Sequence, residues 1–299
     1  IGEFGYECDK SGLSRIAAFA RACLAHDHTL QSIGNGAAVG LDKLFATLPV
    51  PKIWDDGASI ISREGVSAAA NAPEPYFMFT NFMDAHAPHQ HVLGYDKSLH
   101  NASNSWSSRD WNKWDVNLGG AEGLDLVRAD VEIHRDLYAA SIDYLDQVVD
   151  EFINDLQTKS DKELTVVITA DHGENLGYPE DGYLFGHDAS LSEGLLHVPL
   201  LIMNPPEGYP DTVSGYVSHL QLGELIVGLA NGETPDVTRD HIPAELIGST
   251  NAGPPEDEEY WTRMIRAAYT NNDEFTKTVW DSLGGSNRYR LDPMNSCWQ

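Results

Sequence analysis

Two apolar runs, each ending in titratable side chains, constrain this chain more than any other feature. Leu164 to Ala170 (LTVVITA) has the β-branched density of a buried strand, and Asp171, His172, Gly173, Glu174 and Asn175 follow it directly. Pro75 to Met83 (PYFMFTNFM) is a second such run, ending in Asp84, Ala85, His86, Ala87 and Pro88. Open α/β sheets bind ligands beyond the carboxyl ends of their strands, so both runs deliver polar groups where such a sheet keeps its site. A carboxylate beside an imidazole suits a divalent cation, hard on the oxygen side and borderline on the nitrogen side.

Helical patterns separate the runs. Ser14–His26 carries apolar residues at helical spacing behind a serine able to cap it, and the glycines of 34–40 are expected to break that helix. Ala58–Ala70 reads as a helix leading into the strand at Tyr76–Phe82, and a long amphipathic helix is expected over Asp125–Gln157. Its apolar stripe is Ile133, Leu137, Ala140, Tyr144, Leu145, Val148, Phe152 and Leu156. His197–Met203 predicts a third buried strand and Tyr216–Asn231 another helix. The polar stretch between Asp84 and Gly123, with Trp106, Trp111 and Trp114, reads as a long loop at the mouth of the site. Beyond a Pro- and acid-rich linker at Asn251–Glu259, residues Met264–Asp292 alternate like antiparallel strands. The expected architecture is therefore α/β: a mixed, mostly parallel sheet with helices on both faces over residues 1–250. A small antiparallel subdomain is expected over 251–299.

Composition narrows the partners. The 299 residues hold 46 acidic against 19 basic side chains, a net charge of −27 that repels nucleic acid and anionic lipid. Only eight lysines are present. Acidity spread along the whole chain points to a halophilic protein, whose self-repulsion is screened at high salt. No uninterrupted apolar run is long enough for a bilayer span. Cys8, Cys23 and Cys297 are too few and too scattered for a disulfide framework or a zinc site.

The string TADHGENLG, followed by FGHDASLSEGLLHVPLLIMNP, resembles the sulfatase branch of the alkaline phosphatase superfamily. FTNFMDAHAP resembles that family's strand ending in a substrate-contacting histidine, and LYAASIDYLDQVVDEFINDL its long helix before the metal strand. YVSHLQLGELIVGLA matches in position a helix toward the carboxyl end, and RAAYTNNDEFTKTVW with NRYRLDP resembles the closing β-subdomain. The resemblance thus runs from about Gly57 to Pro293. It implies an alkaline-phosphatase-like fold and a metal-dependent hydrolase of sulfate or phosphate esters. Asp171 and His172 would be ligands of a divalent ion, calcium first, with manganese, magnesium or zinc as alternatives. His86 and His187 would contact the ester's non-bridging oxygens, His187 also being placed to protonate the leaving oxygen. Glu174 would orient a ligand, while His197 and His219 are left structural roles.

The family's amino-terminal metal strand and its nucleophile in C/S-x-P-x-R have no counterpart in these residues. None of the three cysteines fits, and Thr47-Leu48-Pro49 is a decoy, followed by neither the expected helix nor a metal strand. The expectation is a chain lacking its amino-terminal part, completed by a complementary segment or by oligomerisation. A catalytically inactive binding module and a phosphotransferase of the same superfamily are the alternatives.

Overall fold

A computed structural model describes residues 21, 28–45, 50–109, 113–159, 163–187, 190–248, 264–270, 276–281, 286–292 and 297–298. Of the helix predicted over Ser14–His26 only Arg21 is among them, and the decoy at Thr47 lies outside them. The first described helix is α1 (Thr29–Phe45), which runs straight through the glycines expected to break it. At Gly34 and Gly40 an added Cβ would meet nothing within 4 Å, so no close packing requires the missing side chains there.

Helix α2 (Ala58–Asn71) begins where two carboxylates collect its free amides. Asp84 accepts from the N–H groups of Asp56 (2.8 Å) and Ala58 (3.1 Å), and Asp55 from those of Gly57 (3.0 Å) and Ser59 (2.9 Å). A helix start has unpaired donors and a partial positive charge, so two anions there satisfy both needs. The segment after α2 is extended, and burial alternates along it. Tyr76, Met78, Thr80 and Phe82 are half-buried, while Phe77, Phe79, Asn81 and Met83 face outward. The Phe82 ring meets Phe152 edge-on at 6.1 Å, which seats the inner face on the helices.

The expected loop to Gly123 ends earlier, in α3 (Lys113–Leu126), whose two parts meet at a kink at Gly120. Helix α4 (Arg128–Lys159) follows, with Val131, His134, Leu137, Ala140, Ser141, Phe152, Ile153 and Leu156 buried at helical spacing. It packs on α2, where a Cβ at Gly65 would come within 2.9 Å of the Phe152 ring. Leu137 and Ala140 join Val92 and Tyr95 in one core cluster, so the long loop is pinned to the helix rather than hanging free.

Strand β1 (Val166–Thr169) leads to β2 (Asn175–Leu176), β3 (Phe185–Gly186), the one-turn helix α5 (Glu193–Leu196) and β4 (Leu200–Met203). β1 and β4 are antiparallel, pairing Val166 with Met203 and Thr169 with Leu200. Val167, Leu200 and Ile202 turn inward onto Leu225 and Leu229 of α6 (Leu222–Ala230), which leaves Leu201 and Met203 exposed on the other face. The predicted helix over Tyr216–Asn231 is thus shorter, opening with β5 (Tyr216–Val217), which pairs with β6 (Thr238–Arg239).

The last unit is a five-stranded antiparallel meander of β7 (His241–Ile247), β8 (Met264–Thr270), β9 (Thr276–Asp281), β10 (Ser286–Asp292) and β11 (Cys297–Trp298). Its first strand lies ahead of the acidic linker. Among the described residues the named strand pairs are antiparallel, and the parallel pairing is a single bridge between Lys52 and Val92. The mostly parallel central sheet of the expectation is thus represented by β1 with its antiparallel neighbour and by the extended run of residues 76–82, which enters no described ladder. Among the described residues no helix is long and apolar enough to cross a membrane.

Candidate active site

The carboxyl ends of the two apolar runs meet. The His172 ring stacks on His187 at a centroid distance of 4.4 Å and an interplanar angle of 28°, and His86 lies 5.3 Å from His187 on a tilted plane. Three imidazoles from sequence positions up to a hundred residues apart therefore form one cluster, with the Asp171 carboxylate beside His172. That carboxylate is 86% exposed, its Oδ2 3.8 Å from His172 Nε2, while its Oδ1 accepts the His172 backbone N–H at 3.0 Å.

Hydrogen bonding fixes how the rings present themselves. His172 Nδ1 lies 2.8 Å from the Gly173 carbonyl and His86 Nδ1 2.6 Å from the Ala87 carbonyl. A carbonyl oxygen only accepts, so in both rings Nδ1 carries a proton, and in the neutral form of either ring the lone pair is on Nε2. His187 Nδ1 lies 3.0 Å from Glu174 Oε2. The Glu174 side chain is 7% exposed, and the ring its carboxylate meets is that of His187.

The turn carrying Asp171 and His172 is itself clamped. Gly173 N–H donates to the Leu195 carbonyl at 2.8 Å, and a Cβ at Gly173 would come within 2.0 Å of the Gly194 oxygen, so only glycine permits this approach. Asn175, fully buried, donates to Ser190 at 3.1 Å and accepts from Ser192. Arg135 reaches from α4 to the carbonyls of Leu176 and Gly177, each at 2.8 Å. Arg135 and the Asn175 pair escaped sequence reasoning, because an arginine within a helix and an asparagine after a metal-type motif carry no local sign of their partner.

The neighbouring histidines separate cleanly from the site. His89 and His91 are each 3% exposed and lie inward, whereas His86 faces out. His89 packs edge-on against His134 at 4.9 Å, and burial, with help from the nearby His134 and His86, lowers its pKa to about 3. His219 Nε2 contacts the Thr169 hydroxyl at the end of β1, at 3.2 Å. Of the three tryptophans of the loop, Trp106 is committed to packing, its Nε1–H donating to Asp130 at 2.8 Å. The side chains of Trp111 and Trp114 lie outside the described residues.

For a divalent cation the cluster offers a carboxylate and an imidazole. An exposed carboxylate oxygen and an imidazole whose Nδ1 is already hydrogen-bonded are suitable ligand types. Among the described residues no group of three His, Cys, Asp or Glu side chains converges as a metal shell. Asp171 and His172 thus set one oxygen donor and one nitrogen donor side by side.

Comparison with known proteins bears on the same stretch. The Sulfatase family model matches residues 55–232, from the Asp55 turn to the end of α6. An uncharacterized sulfatase of Escherichia coli (strain K12), YidJ, is 27% identical over 231 residues, covering 73% of this chain and 42% of that protein. The chain thus spans less than half the length of that curated relative.

Proposed function

The chain belongs to the sulfatase family, and from that premise we propose that it forms the carboxyl-terminal part of a metal-dependent hydrolase of sulfate or phosphate esters. The observation that carries this reading is the meeting of His86, His172 and His187 beside Asp171, with Nδ1 of each ring tied to a local acceptor and Nε2 left for a ligand. Asp171 and His172 would hold the cation, calcium or another divalent ion, which supplies Lewis acidity toward an ester oxygen. His187, backed by the Glu174 carboxylate, holds a proton at Nε2 when charged and can hand it to a leaving oxygen. His86 Nε2, presented from the neighbouring run, faces the same anion.

We further propose that the nucleophile and the remaining ligands belong to a complementary segment. Two features support this. Among the described residues, the extended run of 76–82 enters no ladder and β1 pairs with β4 alone. Phe77 and Phe79, 70% and 81% exposed, together with Leu201 and Met203, form the kind of apolar surface that a further strand or a second copy would cover.

Calorimetry on the chain in molar salt tests the site. Calcium or manganese should bind saturably and inorganic sulfate should bind in turn, while Asp171→Ala should remove the metal isotherm. Unchanged binding in Asp171→Ala would take that residue out of the site. Absence of a Cys or Ser in x-P-x-R form supports a second reading, a binding module without turnover. Aryl sulfate and aryl phosphate hydrolysis, with added metal or EDTA, separates the two.

A further inference from the structure

A buried lysine in the carboxyl-terminal sheet bears on the site loop. Lys277 in β9 is 2% exposed, yet its ammonium is fully engaged. Nζ donates to Glu193 Oε1 at 2.8 Å and to the Leu191 carbonyl, and lies 5.0 Å from the centre of the Tyr269 ring. The Tyr269 hydroxyl, from β8, donates to the same Glu193 oxygen. Two strands of the meander thus hold one carboxylate, and that carboxylate belongs to the first residue of α5.

What α5 holds in turn is the turn bearing Asp171 and His172. Leu195 of α5 accepts the Gly173 amide, the Gly194 carbonyl leaves no room for a side chain at Gly173, and Ser190 and Ser192 just upstream grip Asn175. An unbroken series of polar contacts therefore runs from Lys277 and Tyr269 through Glu193 and α5 to the residue beside His172. A hydrophobic pair of similar volume would seal the same interface without desolvating two charges, so sealing alone does not account for the ion pair. Its direction and length do, because a buried ion pair fixes a geometry that apolar packing leaves loose.

We propose that Lys277 and Glu193 are positioning residues, through which the carboxyl-terminal sheet sets the placement of the Gly173 turn and hence the stacking of His172 on His187. The proposal rests on the reading of those two histidines as site residues, but its test uses neither metal nor ester. In the full chain at molar salt, amide hydrogen exchange at Gly173 and the ring nitrogen resonances of His172 and His187 report the turn, and amides of Leu137 and Ala140 in α4 serve as the control.

Lys277→Met should speed Gly173 exchange by about tenfold or more and move both ring signals, with the α4 amides unmoved. The double variant Lys277→Met with Glu193→Gln, which leaves no unpaired charge, should recover less than half of the lost protection, since the directed contact is gone. A folded Lys277→Met protein with Gly173 and both rings unchanged would overturn the proposal, as would full recovery in the double variant. Should Lys277→Met fail to fold, Tyr269→Phe removes a single hydroxyl from Glu193. Faster Gly173 exchange there supports the clamp, and an unmoved Gly173 overturns it. Loss of metal binding in Asp171→Ala, or its absence in the parent, leaves these readouts untouched.

Discussion

Glu174 shows how a single side chain shapes the site. Its side chain is almost wholly buried and its carboxylate accepts from His187. Glu174→Ala should release that ring and weaken sulfate binding by about tenfold to a hundredfold, read by calorimetry, with metal affinity at Asp171 changed far less. His89 is the buried imidazole packed against His134. Its pKa falls from an ordinary 6.5 to about 3, so the unfolded chain binds the extra proton. The neutral ring's contribution is fully present above pH 6.5 and is lost as pH drops toward 3, at up to about 1.4 kcal/mol per pH unit. Urea unfolding at several pH values should show a shallower acid limb in His89→Gln than in the parent; parallel limbs would contradict this assignment.

At the level of elements, α2 is the clearest case of local chemistry fixing a boundary. Burial pushes the Asp55 carboxyl up, but hydrogen bonds from Ser59, Tyr144 and Gly57 outweigh it and leave the pKa below its ordinary 3.8. A depressed carboxylate stabilises the fold above pH 3.8 and loses that contribution as pH falls through its folded value. Asp55→Asn should therefore cost about 1 kcal/mol at neutral pH, with the deficit closing in acid, as measured by chemical denaturation. The elements also mark where sequence was readable. Helices α2 and α4 fall within a few residues of expectation because a 3.6-residue apolar stripe is a local signal. β1 and β4 were legible as strands, yet their antiparallel pairing was not, since a buried run does not encode its neighbour. Glycines at 34, 36 and 40 argued for a break, and α1 nonetheless continues through them.

For the candidate site, Asp171, His172 and His86 were singled out because each follows an apolar run, and His187 because of the motif resemblance; the structure brings the three rings close together. Their chemical setting was not legible: the Gly173 approach to Gly194, the Arg135 reach and the Lys277 clamp join residues far apart in the chain. The whole molecule adds a charge of −27, in which we read adaptation to high salt. On that reading, dialysis from molar to millimolar salt should expand or unfold the chain, seen as a larger scattering radius and a lower melting temperature. An unchanged radius would make the acidity incidental.

The bare aromatics of the extended run put a second limit on that salt range. Salt that quiets the mutual repulsion of carboxylates also drives oily side chains out of water. Phe77 and Phe79, left uncovered, should then make concentrated brine a precipitant for the isolated chain. The useful window is the ionic strength at which the fold is already compact but the molecules still keep apart.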